Sequence, residues 1–388
     1  MPSLPVFRHA FRICFLLAAI WAAMAIPIWL LTYSGFFNLP DVYGGLNWHA
    51  HELIFGYAAM VICGFLFTAI PNWTGRLPVA RWPLIGLVSL WVAGRIAMLT
   101  AGIVGQLPAA IVDVLFLAVV IATAAREIIA GKNWRNLRVL IIILWLLIAN
   151  ILFHTSILAH YATNVSLRAS VAALIALITL IGGRLTPSFT RNWLVKRDAL
   201  RLPASFGRLD AIAIATSVIA LLTWTVAPAG TATAILAILA AISLTWRLLR
   251  WQGWKTWREP LLVILHIGYT FVPMGFAFLA VHAVRPDIVP EGAVIHAWTA
   301  GAIGTMTLAV MTRASLGHTG HALTATHGTA MIYGAVITAA IFRITASFAQ
   351  EWHIPLLNIS GLAWMLAFLA FSLIYGPILI TDSKRKNH

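Results

Sequence analysis

This chain of 388 residues is short of charge, of acid and of cysteine, and each shortage closes off a class of protein. Charged side chains make up 10% of it, against roughly 25% in soluble domains. No stretch is polar enough to stand alone in water, so residues 1–388 read as a single integral membrane domain. The two cysteines, Cys14 and Cys63, both lie in apolar runs and form neither C-x-x-C nor C-x-x-C-H. That argues against a disulfide framework and against covalent c-type haem. No phosphate-binding G-x-x-x-x-G-K-[ST] run occurs, so ATP-driven transport has no support. The first apolar run follows Arg8 and Arg12 without a small-x-small cleavage site, and reads as a retained helix.

Apolar residues fill 61% of the chain. At about 20 residues per crossing, they predict an all-α polytopic membrane protein of about twelve transmembrane helices. The spans are 11–33, 47–70, 82–102, 107–129, 137–160, 165–184, 209–227, 229–248, 260–282, 292–312, 326–348 and 355–380. The net charge of +15 is explained by topology. Nearly all Lys and Arg residues fall at the N-terminal end and at every second loop, while the alternate loops hold only Arg168 and Arg285. The positive-inside rule then puts both termini in the cytoplasm. A charge spent on orientation is no sign of nucleic acid, and none is expected as a partner. The partner this charge pattern implies is the lipid bilayer.

Internal spacing hints at repetition. Thr74-Gly75 and Thr319-Gly320 follow His51 and His296 at the same distance, and Pro71-Asn72-Trp73-Thr74 echoes Pro187-Ser188-Phe189-Thr190. These marks sit on the second, sixth and tenth spans, which suggests three pseudo-repeats of four helices. The basic loop after the sixth span reads as a hinge between halves.

Histidine is what the membrane segments do contain, and an ionisable side chain at membrane depth is a functional-site hypothesis by default. His49, His51, His154 and His296 fall toward the outer face, and His266 and His318 toward the inner one. Imidazole suits iron, copper and zinc alike; many histidines with few acids favour holding a metal over relaying protons alone. The alternative for each single histidine is an interfacial anchor at a helix end. Residues i and i+2 are about 200° apart on a helix, so His49 and His51 serve two centres on opposite faces unless the helix begins between them. Glu52, about 60° from His49, is placed to orient it. His318 lies between Gly317 and Gly320 and reads as a loop ligand paired with His266. His321, His327, His353 and His388 read as surface or interfacial. Arg95, buried in the third span, needs a partner: Asp113 for a structural ion pair, or the carboxylate of a cofactor.

These residues resemble the NnrS family of bacterial membrane proteins. The matching runs are His49-Ala50-His51-Glu52-Leu53-Ile54-Phe55-Gly56, Pro71-Asn72-Trp73-Thr74-Gly75, Gly94-Arg95, Gly183-Arg184 with Phe189-Thr190-Arg191-Asn192, His266-Ile267-Gly268-Tyr269, His296-Ala297-Trp298 leading into Gly301-Ala302-Ile303-Gly304-Thr305-Met306, and Met311-Thr312-Arg313-Ala314-Ser315-Leu316-Gly317-His318-Thr319-Gly320. They cover nearly the whole chain in order. One departure is His321, where the family pattern has Arg. The resemblance implies non-covalent b-type haem and copper, nitric oxide as ligand, and a place in denitrification and resistance to nitrosative stress. It singles out His49, His51, His154, His266, His296 and His318 as metal ligands, with Arg95 set to neutralise a haem propionate. A looser likeness is to haem-copper oxidases, which have twelve helices in three arcs.

The leading expectation is a haem- and copper-containing membrane protein that binds nitric oxide. Whether it also transforms nitric oxide, as an oxidoreductase fed by quinol or another electron donor, is left open. Two other classes fit the same histidines: a transporter of metal or of a small molecule, and a haem-based sensor.

Overall fold

The computed structural model describes residues 4–39 and 42–382, so His388 lies outside the described residues. Among the described residues there are helices and no strands. Long apolar runs without two-residue alternation can satisfy their backbone in hydrocarbon only as helices. Twelve of them are long and apolar enough to cross a bilayer. They are α1 Ala10–Tyr33, α2 Gly45–Thr74, α3 Trp82–Leu99, α4 Gln106–Ala130, α5 Trp134–Leu158, α6 Asn164–Val195, α7 Arg208–Val226, α8 Thr231–Leu249, α9 Pro260–His282, α10 Glu291–His318, α11 His327–Phe348 and α12 Gln350–Ile380. Each expected span falls on one of them. The protein is a multi-pass membrane protein whose exposed Ile111, Ile141, Ile242 and Leu373 are suited to lipid contact.

Two helices outrun their apolar runs. α6 continues past Arg184 to Val195, and α10 continues past Thr312 to His318. Hydropathy falls where hydroxyls begin, yet those hydroxyls bond back onto their own helix: Ser315 Oγ donates to Met311 O at 2.6 Å. Within α6, Pro187 has no N–H for the carbonyl of Gly183 four residues earlier. Arg247 of α8 supplies a donor there, with NH2 3.3 Å from Gly183 O and Nε 2.9 Å from Asp210 Oδ1.

α2 and α10 share an irregularity. In α2 the helix widens to a π-helix over Glu52–Ala58, immediately after His51. In α10 it widens over Ala297–Gly304, immediately after His296. The turns that follow these helices contain Gly75 and Gly320, both at positive φ.

The chain packs as two compact units, Met1–Ser170 with Met311–Ala322 and Met365–His388, and Val171–Val310 with Leu323–Trp364. Three of the four borders fall inside α6, α10 and α12 and the fourth between α10 and α11, none of them at the loop expected as a hinge. In the first unit α1 packs on α2, α2 on α4, α3 on α4 and α4 on α5. In the second, α7 packs on α8, α8 on α9, α9 on α10 and α10 on α11.

Candidate metal centre

The first unit gathers six polar side chains into a buried cluster. His51, Glu52, Arg95, Asp113, Asn150 and His154 are all buried, from four different helices. Asn150 and His154 are i and i+4 on α5, so they share a face. Both end on Asp113 of α4, with Asn150 Nδ2 donating to Oδ2 at 2.8 Å and His154 Nε2 3.1 Å from the same oxygen. His51 Nε2 comes from α2 to 3.1 Å from Asp113 Oδ2 and 3.3 Å from Asn150 Oδ1.

Behind these atoms stand the charges that hold them. Arg95 NH1 donates to both oxygens of Glu52 at 2.6 Å, and its NH2 donates to Asp113 Oδ1. Glu52 in turn accepts from His51 Nδ1 at 3.1 Å. Such close packing requires a bare backbone at Gly56. A Cβ there would stand 2.7 Å from Trp21 Nε1, 2.8 Å from Glu52 Oε2 and 2.9 Å from Arg95 NH1.

The chemistry of this arrangement follows from who can donate. An ionised carboxylate only accepts, so the proton of the His51–Glu52 bond sits on His51 Nδ1. Nε2 then turns a lone pair toward two oxygens, Asp113 Oδ2 and Asn150 Oδ1. Either a second proton or a metal ion must lie among them. His51, Asp113 and His154 each offer one ligand atom within 4.8 Å of the other two. Ligands held about 2.0–2.1 Å from one metal are spaced comparably. The chain Glu52–His51 also reproduces the carboxylate–histidine support common behind metals. The set fits a single metal ion.

It does not fit a haem. The rings of Phe55 and Phe153 each lie 4.9 Å from the His51 ring, His154 lies 5.2 Å away, and Asp113 and Asn150 occupy the approach to Nε2. A macrocycle on that nitrogen would need the space these side chains fill.

The other expected ligands are found elsewhere. His49 turns away from His51, as the helical geometry predicts, and stacks on Trp29 of α1 at 4.1 Å. His296 belongs to the second unit, where its Nδ1 lies 2.7 Å from Gly292 O. A carbonyl only accepts, so the proton of that bond sits on His296 Nδ1. His266, also of the second unit, pairs through Nε2 with Thr190 Oγ1 at 2.9 Å. A Cβ on Gly253 would stand 2.5 Å from its Nδ1.

Two expectations are corrected. His318 is the last residue of α10, not a loop residue, and its ring lies 5.4 Å from that of Phe11 in the first unit. His266 belongs to the second unit and His318 to the first. Glu52 supports His51 and Arg95 where it was expected behind His49, since the π-helix starts at Glu52 itself. Among the further histidines, His282 meets Val289 O at 2.8 Å, His353 meets Ala346 O at 2.8 Å, and His321 meets Thr319 Oγ1 at 2.8 Å.

Sequence reasoning missed Asn150 and Tyr43, whose hydroxyl is 3.4 Å from His154 Nδ1. Asn150 did leave a signal: it is a lone amide in an apolar run, one turn before His154. Tyr43 left none. None of the curated proteins matches this chain. The model of a family described as NnrS protein matches residues 5–382, nearly the whole length, and the chain belongs to the NnrS family.

Proposed function

We propose that this protein is a copper- and haem-containing membrane protein of nitric oxide metabolism and nitrosative-stress resistance, with the copper held by His51, Asp113 and His154. The observation carrying the proposal is the convergence of those three donors in a buried cluster. Membership of the NnrS family supports the nitric oxide context. Two imidazoles suit copper, and a neutral small molecule that dissolves in lipid needs no polar channel to reach a buried site. Copper bound there would supply a redox-active centre able to take a small ligand.

The chain's own residues have separate tasks. Glu52 accepts the hydrogen bond from His51 Nδ1–H and so points Nε2 inward. Arg95 balances Glu52 and Asp113, which together would otherwise leave two buried negative charges. Asn150 steadies Asp113. Haem is assigned to residues outside this cluster, with half-buried His49 of the first unit and half-buried His296 of the second as separate candidate ligands. Transformation of nitric oxide would draw electrons from quinol or another donor. In this reading the protein sits in the bacterial inner membrane with both termini in the cytoplasm.

Copper content of purified, copper-loaded protein tests the site. His51→Ala, His154→Ala and Asp113→Asn should each lose copper while haem content stays near that of the parent. Full copper retention in all three variants would overturn the assignment.

A further inference from the structure

At the basic end of the first unit, a cavity of about 530 Å³ opens between the segment after α2 and the end of α4. Arg76, Leu77, Pro78, Arg126 and Glu127 are among its lining residues. Glu127 is buried, and both arginines are attached to it: Arg76 Nε donates to Oε2 at 2.5 Å and Arg126 Nε to Oε1 at 2.9 Å. Each guanidinium carries five N–H groups, while a carboxylate has about four lone-pair positions. Glu127 can therefore occupy fewer than half of these donors. It fixes the two forks at the cavity and leaves the group with net positive charge.

The surroundings set the depth and the sign. Trp82 at the start of α3 and Trp134 at the start of α5 are exposed, as tryptophans at a membrane–water interface are. Leu77, on the cavity wall, is 88% exposed. Lys132, Arg135 and Arg138 follow closely in sequence. Two oriented guanidiniums match a phosphate diester, an apolar wall suits the chains attached to it, and the neighbouring cations disfavour choline. We infer that this cavity binds the headgroup of an anionic phospholipid of the surrounding bilayer, with Arg76 and Arg126 on the phosphate and Glu127 positioning both.

The test uses the full chain, delipidated in detergent and titrated with short-chain phosphatidylglycerol, with phosphatidylcholine of the same chain length, and with inorganic phosphate. Lipid retention by native mass spectrometry and thermal unfolding are read for each. Phosphatidylglycerol should be retained and should raise the melting temperature, while phosphatidylcholine and phosphate should do neither. Arg126→Gln leaves Arg76 on Glu127, so the fold is kept; it should weaken phosphatidylglycerol retention about fivefold. Arg126→Lys keeps the charge and should lose less. Equal retention of the two lipids, an unchanged Arg126→Gln, or an equal shift with inorganic phosphate would each overturn the lipid site.

Discussion

His154 lies one turn beyond Asn150 on α5, and both side chains end on the same oxygen of Asp113, at 3.1 and 2.8 Å. The carboxylate is thus shared between the proposed ligand His154 and the residue that holds it still. Groups that only orient a ligand typically change metal affinity by 10–100-fold. Asn150→Ala should therefore weaken copper binding within about that range, while His154→Ala should abolish it. Competition against a chelator of known affinity measures both. Equal losses in the two variants would promote Asn150 to a ligand.

Arg95 answers to two acids, Glu52 and Asp113. Arg95→Leu leaves both buried without their cation and should destabilise the protein by roughly 3–5 kcal/mol. Adding Asp113→Leu should return only part of that loss, because Glu52 is still uncompensated; adding Glu52→Gln as well should return more. Melting of the single, double and triple variants in detergent decides this. Full recovery in the double variant would show that Glu52 carries no charge there.

His49 and His51 face different neighbours, Trp29 for one and Asp113 for the other. Their alanine variants should accordingly lose different components: copper from His51→Ala, and haem absorbance from His49→Ala. Optical spectra with and without dithionite, beside metal analysis, separate them. Identical losses from both would mean one shared centre.

How far the sequence reaches can be judged residue by residue. The spans were readable because lipid demands continuous apolar length, and all twelve were located. The ends of α6 and α10 were not, since hydroxyl side chains that bond back onto the helix look like loop in a hydropathy profile. The Arg95–Asp113 pair was one of two readings the sequence left open, because a buried guanidinium in an apolar span needs some acid and does not say which. The role of Glu52 was hidden by a local change of helical width that no spacing rule anticipates. His318 was misplaced for the same reason as the end of α10. Tyr43, outside any span, carried no mark of its destination.

Arg247 and Pro187 form a second testable pair. If the guanidinium replaces the N–H that Pro187 lacks, Pro187→Ala supplies an amide for Gly183 O and makes the Arg247 contact there redundant. Arg247→Leu should then destabilise less in the Pro187→Ala background than in the parent, by about 1–2 kcal/mol, as for a hydrogen bond to a charged group. Arg250, 3.0 Å from Asp210 Oδ2, keeps that acid paired throughout. Additive melting shifts would leave the Gly183 contact without energetic weight.

Orientation is tested directly by reporter fusions. Fusions after Lys196 should report cytoplasm and those after Asp287 the periplasm, as the basic loops predict. The reverse pattern would turn the basic cavity outward.

The widened turn over Glu52–Ala58 acts as a phase setting for α2. Each residue of an α-helix advances the wall by about 100°. Deleting Ala58, the last residue of this turn, would restore ordinary winding at the expense of aim. If the part of α2 beyond Ala59 stays clamped on α1, the start of the helix must swing by about that angle, taking His51 away from Asp113 and His49 off Trp29. Nothing would be missing from the donor set, yet α2 would no longer point to the place where α4 and α5 still meet.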